Sequence, residues 1–254
     1  QTGRLFVSNQ EARNIERFEG NGDYVAGFGL ETLRGHFVEH RITVIDGETV
    51  SPRHLNKHID YDRELGTQAE NDASLAMPLE MAFSGDGTTL YVAAYSSAKI
   101  GIFDVDELVN DTFVPDPEQH IEISGGGPGG LVLDEANGRM YVYARFANAV
   151  SVVDLETREE VAQLVLYNPE PPEVVAGRTL HYDARYTSSR GESSCAGCHI
   201  FADKDELGWD LGNPDADVVD DRNPRKQGSY QVNRYFHPMK GPMVTQSLRG
   251  LQRT

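Results

Sequence analysis

The sequence predicts a mainly β chain: a partial β-propeller over residues 1–177, followed by a small, mostly α-helical domain over residues 178–254. Three observations carry that prediction. A β-patterned unit recurs at an offset of 50 residues, placing Tyr91 on Tyr141, Ile100 on Val150, Ile102 on Val152 and Asp104 on Asp154. A stretch rich in proline and acid, residues 167–177, then breaks the strand pattern. Beyond it the composition changes, with both cysteines, Cys195 and Cys198, and the single tryptophan, Trp209.

The two clear copies span residues 78–108 and 127–157. Each reads as an apolar run, a turn of Asp, Asn and Gly, a Tyr-Val strand, a polar turn, and a strand alternating with period two. Leu5-Phe6-Val7 and Ile42 to Asp46 read as a diverged copy with an insertion between its strands (NGDYVAGFGLETLRGHFVEH and its surroundings). Periods of 40–50 residues with three or four strands are the signature of propeller blades. Residues Glu160 to Leu166 read as the opening of a further blade. A propeller closes with about four blades or more, so further blades are expected outside this chain or in poorly marked segments. The glycine cluster at residues 124–130 precedes a strand and lacks a Lys-Ser/Thr ending, so it reads as a tight inter-blade connection rather than a phosphate loop.

Composition narrows the function. The 254 residues carry 39% hydrophobic and 25% charged side chains, enough for a packed core. A formal charge of -17 repels phosphate backbones, so no nucleic-acid partner is expected. No apolar run reaches the length of a membrane-spanning helix. The chain begins with Gln1, as expected if a secretory signal has been removed or the N-terminus is missing.

The chemistry sits at residues 195–199, Cys-Ala-Gly-Cys-His. Two thiols three positions apart followed at once by histidine suit covalent haem attachment. Each thiol adds to one haem vinyl group, Ala196 and Gly197 leave the macrocycle unobstructed, and His199 binds the iron. A four-cysteine zinc site lacks its second pair, and a thioredoxin-like pair lacks its α/β context. One covalent haem c is therefore the expected cofactor. For the far side of the iron the stretch FHPMKGPMVTQSL offers Met243, with Met239 as the alternative and His237 as a rival; either methionine could instead simply pack on the ring. Arg185, Arg190 and Lys240 are candidates to pair with haem propionates, and Trp209 to pack on the haem or donate its indole N–H to a propionate. The acidic run 203–221 fits no EF-hand, so a solvated loop is preferred over a calcium site. His54 and His58, four apart, would share a face of a helix but have no third ligand nearby.

The segment 180–199 resembles the corresponding segment of bacterial di-haem cytochrome c peroxidases, matching at Leu180, Tyr182, Asp183, Arg185, Ser194, Cys195, Cys198 and His199. Ser247-Leu248-Arg249-Gly250 is similar to that family's Ser-Leu-Arg-Asn. The blades resemble the YVTN-type β-propeller family at Tyr91-Val92 and Tyr141-Val142. The combination implies a propeller joined to a cytochrome c domain. This chain has one attachment motif where the peroxidases have two haems, and it stops where such domains continue, so a truncated domain is expected and peroxidase activity does not transfer.

Electron transfer, with the propeller as docking platform for a redox partner protein, is the leading expectation. A peroxidase or oxidase with an open iron face is the alternative, with His237 or Tyr235 as distal group. A propeller binding module with an accessory haem is the third. Bacterial haem c attachment occurs outside the cytoplasmic membrane, which places the protein in the periplasm or beyond.

Overall fold

The computed structural model describes residues 3–16, 33, 35–63, 65–211, 219–220, 235–236 and 242–250. The chain sorts into two compact units: Gln1–Glu11, Val38–Ile59 and Leu65–Cys198 form the first, and Ala12–Phe37, Asp60–Glu64 and His199–Thr254 the second.

The first unit is a partial β-propeller of three antiparallel meanders. Strands β1 (Leu5–Ala12), β2 (Val38–Asp46) and β3 (Thr49–His54) make a three-stranded blade. Strands β4 (Pro78–Phe83), β5 (Thr89–Ala94), β6 (Lys99–Asp104) and β7 (His120–Glu122) make the second, and β8 (Pro128–Asp134), β9 (Arg139–Ala144), β10 (Ala149–Asp154) and β11 (Glu159–Val165) the third. The internal repeat is reproduced in register: Tyr91 lies opposite Ile102, and Tyr141 opposite Val152. The matching aspartates close matching turns. Asp104 accepts the Glu107 N–H and caps the helix at Val105–Asn110, while Asp154 accepts the Thr157 N–H.

Apolar side chains between sheets supply the cohesion. Ile100, Ile121, Met140, Val142 and Val153 are buried together between the second and third blades. Ile42, Leu55, Leu90, Val92 and Phe103 form the second cluster. Burying such side chains is worth about 1.5–3 kcal/mol each. In β10 the small residues Ala149 and Ser151 turn to the core with Val153, while Val150 and Val152 are only half-buried. Small side chains on that face allow close approach of the adjacent blade.

Residues 160–166 do not open a new blade. All but Leu166 belong to β11, which pairs antiparallel with β10 across the turn at Glu156–Arg158 and closes the third blade. The insertion after β1 is shorter than expected at its end, because Val38 to His40 already belong to β2; residues 17–32 lie outside the described residues. The glycine cluster does connect the second and third blades. Gly126 and Gly127 hold φ of 65° and 57°, and a Cβ on Gly127 would stand 2.5 Å from the Phe146 ring.

Two helices precede the cysteines, after α1 (Gln68–Ala73) and α2 (Val105–Asn110): α3 (Pro172–Tyr182) and α4 (Ala184–Thr187). The expected linker at 167–177 therefore runs into a helix, with Pro172 in the first turn, where its missing N–H costs nothing. The segment 178–198 clusters with the first compact unit. Arg178 is the reason: it is buried, paired with Glu170, and reaches the Arg145 carbonyl at 3.4 Å. Tyr182 adds an edge-on contact to Tyr95, 5.5 Å between centroids.

In the second unit the described residues form short antiparallel pairs in place of the expected helices: β12 (Gly208–Asp210) with β15 (Pro242–Val244), and β13 (Val219–Asp220) with β14 (Tyr235–Phe236). A three-residue 3-10 turn, Ile200–Ala202, precedes them. No described helix is long and apolar enough to cross a membrane.

Gly127→Ala would combine a left-handed backbone with a clash against Phe146, so we expect a loss of about 2–4 kcal/mol in urea unfolding with the fold retained.

Candidate functional site

The segment that leads to the thiols is held to the blades by side chains that grip its main chain. Helix α1 begins with a capping box, in which the Thr67 hydroxyl accepts the Glu70 N–H and the Glu70 carboxylate accepts the Thr67 N–H. That fixes Asn71, whose amide donates to the carbonyls of Arg185 at 3.2 Å and Ser188 at 3.1 Å. Ser74 Oγ lies 2.7 Å from both the Glu70 and the Arg190 carbonyl. His40, on β2, accepts the Met77 N–H at Nδ1 (3.0 Å) and donates from Nε2 to the Glu192 carbonyl (2.5 Å). Both bonds define its neutral tautomer, and burial pushes its pKa down to about 4. Gly191 has a φ of 70° and would place a Cβ 2.8 Å from the Asn71 carbonyl, so this close approach requires glycine.

Asp183 and Arg185 complete the anchor. The Asp183 carboxylate caps α4 by accepting the Arg185 N–H and takes the guanidinium of Arg185 at 3.0 and 2.8 Å. Arg185 also reaches Glu122 of β7 at 3.1 Å. The hydrogen bond to Asp183 holds the guanidinium above its ordinary pKa. Arg185, expected near a propionate, is thus committed to two carboxylates of the protein.

Ser194 then starts a 3-10 turn over Cys195–Gly197, with the Cys198 N–H bonding back to the Cys195 carbonyl at 3.4 Å. Cys195 opens the turn and Cys198 is its C-cap residue, at φ -109° and ψ -41°. Cys195 is exposed, Cys198 half-exposed, and neither is in a disulfide. Ala196 is fully buried, and the space where a Gly197 side chain would stand is open.

In the second unit, His199 donates from Nδ1 to the Gln246 carbonyl at 2.8 Å. The segments on either side of this bond are zipped together by Leu248 N–H to the Ala202 carbonyl and Thr245 N–H to the Leu207 carbonyl. Met243 lies opposite Trp209 in the β12–β15 pair and is 38% exposed, while Trp209 is buried. The Trp209 indole N–H donates to the Asp205 carboxylate at 2.9 Å, so an acidic side chain of this loop occupies the donor expected for a propionate. Met239, His237 and Lys240 lie outside the described residues, as do the side chain of Tyr235 and much of the acidic run. His54 ends β3 and His58 lies in the following turn, 3.0 Å from the Glu70 carbonyl, so the two do not share a helix.

Sequence reasoning missed His40, Asn71 and Ser74. Each acts on a partner more than a hundred positions away, and single buried polar residues carry no local pattern.

No family model and no curated protein matches this chain. Solved structures with a similar arrangement include hydrazine synthase of Kuenenia stuttgartiensis, 18% identical over 59% of this chain and 42% of that one, with a TM-score of 0.41. The periplasmic gluconolactonase PpgL of Pseudomonas aeruginosa is 13% identical over 52% of this chain and 38% of that one, TM-score 0.36. AztD of Citrobacter koseri is 12% identical over 52% and 30%, TM-score 0.31. The chain spans less than half the length of each.

Two outcomes are expected. The unfolded chain protonates His40 near pH 6.5 and the folded protein only near pH 4, so between those values the unfolded state binds more protons. Stability is then full above pH 6.5 and falls on acidification toward pH 4, by about 3 kcal/mol from this group. Urea unfolding across that range should show the slope, and His40→Gln should remove this group's share, leaving that of His120 and His58, whose pKa values burial also lowers. Asn71→Ala should leave two carbonyls short of a donor and raise hydrogen exchange of the 185–198 amides roughly tenfold or more.

Proposed function

We propose that this chain is part of a c-type cytochrome in which one haem is carried covalently by Cys195 and Cys198 and bound at iron by His199. The cysteine turn is the observation that supports this most directly. Cys195 and Cys198 bracket a single 3-10 turn, neither is in a disulfide, small residues separate them, and the space over Gly197 is open. These features suit a flat macrocycle. The Nδ1–H of His199 is engaged by the Gln246 carbonyl, which selects the tautomer whose Nε2 carries the lone pair a metal needs.

When bound, the haem supplies one-electron chemistry through its iron. The chain's own residues have three tasks. Cys195 and Cys198 tether the ring, so it stays with the protein in either oxidation state. The Gln246 carbonyl orients the His199 ring and fixes its tautomer. Met243 would supply the second protein ligand to the iron, with Met239 the alternative; thioether ligation raises the potential and suits electron transfer. Trp209, opposite Met243, would stiffen that strand pair. Residues 178–254 would form the cytochrome c domain.

The propeller serves in this reading as a docking platform for a redox protein. Haem attachment of this kind implies a location outside the cytoplasmic membrane. Electron transfer is preferred over peroxidase chemistry because methionines are available as thioether ligands.

Expression in a host that installs haem c should give a coloured protein whose intact mass exceeds the polypeptide by one haem. Cys195→Ser with Cys198→Ser should abolish the covalent adduct, and a colourless wild type would overturn the reading. The ferric protein should be low-spin, and Met243→Ala should shift it toward high spin. A high-spin wild type that turns over hydrogen peroxide would favour the enzyme instead.

A further inference from the structure

Apart from the cysteine segment, the propeller unit holds a half-open cavity of about 550 Å³. Its floor is apolar and buried, built by Leu55, Leu75, Ile102, Phe103 and Phe113. Phe103 and Phe113 meet edge-to-face at 5.4 Å, which keeps the floor rigid. Asp104, Glu107 and Asp116 line the cavity and are its only charged side chains apart from the titratable His120. Lys57 is held by Asp111 and the Phe113 ring, Lys99 by the Asp72 carbonyl and Glu122, and Arg158 reaches the Gln119 side chain at 3.0 Å.

His120 gives the cavity a second polar feature. Its Nδ1 is buried and has no hydrogen-bond partner, while the ring also bonds the Asp72 backbone. Because a backbone carbonyl takes the N–H at Nε2, Nδ1 is the acceptor nitrogen of a neutral imidazole. Burial holds the ring neutral at physiological pH, with a pKa pushed down to about 4. The polar lining therefore offers mainly acceptors and negative charge. An occupant must bring donors and positive charge on an apolar body. A metal ion fits poorly, since no three of these four groups place ligand atoms within 4.8 Å of one another. The volume lies within the range of small-molecule sites.

We propose that this cavity binds a small amphipathic organic cation, a primary ammonium attached to an aromatic or aliphatic body. The apolar part would cover the Leu-Ile-Phe floor, and the ammonium would be neutralised by Asp104, Glu107 and Asp116 and donate to His120. This site is separate from the proposed haem and does not rest on it.

The test is calorimetric titration of the full chain with three probes of one shape: phenethylammonium, 2-phenylethanol and phenylacetate. Phenethylammonium should bind about tenfold more tightly than the alcohol, and phenylacetate should bind most weakly. Glu107→Gln, on the exposed rim, should reduce the ammonium preference several-fold, and Thr112→Trp should abolish binding by filling the mouth. Circular dichroism matching the wild type would show that both variants fold. Binding of phenylacetate equal to phenethylammonium would overturn the proposal. So would an ammonium affinity unchanged in Thr112→Trp, or no binding of any probe at about 10 mM.

Discussion

The arrangement depends on one kind of interaction: side chains of the propeller hydrogen-bonding to the main chain of the segment before the cysteines. His40, Asn71 and Ser74 reach four successive parts of that segment, at Arg185, Ser188, Arg190 and Glu192. A stretch with only one short helical turn has few partners of its own for its carbonyls, and burying them unpaired would cost about 1–3 kcal/mol each. The grip satisfies those carbonyls and fixes the chain's path at the same time. The Cys195–Gly197 turn therefore leaves a rigid base rather than a free loop.

Charge reinforces the same anchor. Asp183 caps α4 and holds Arg185, Arg185 reaches Glu122, and Glu122 lies near Lys99. Asp183 is almost fully buried, so its pairing is more consequential than that of a surface ion pair. This explains why an arginine that looked like a haem-propionate partner has another occupation. The resemblance motif around residues 180–185 is, in this protein, a docking device for the segment that follows it.

Much of the propeller was legible because period-two alternation and a 50-residue repeat are direct images of strand pairing. The fourth strand of each blade was not. His120–Glu122 is too short to show alternation, and Glu159–Val165 has polar residues on both sides of its pattern, as an outer edge strand facing water should. Helix α3 hid behind prolines that read as breakers but stand at its first turn. The thiol pair and its histidine were plain from spacing alone. His40 and Asn71 were invisible, since their meaning lies in partners brought close only by the fold. The cavity at Phe113 was hidden for the same reason.

Main-chain recognition has an evolutionary corollary. Carbonyl oxygens are common to every residue, so the grips on Ser188, Arg190 and Glu192 do not read which amino acid stands there. These bonds survive a change of side chain, but Arg190 and Glu192 are themselves buried, so packing constrains them; Ser188, half-buried, has the most latitude. The adjacent Gly191, pressed against Asn71, has none. Homologues should thus keep the fasteners and the glycine, with position 188 the first to drift.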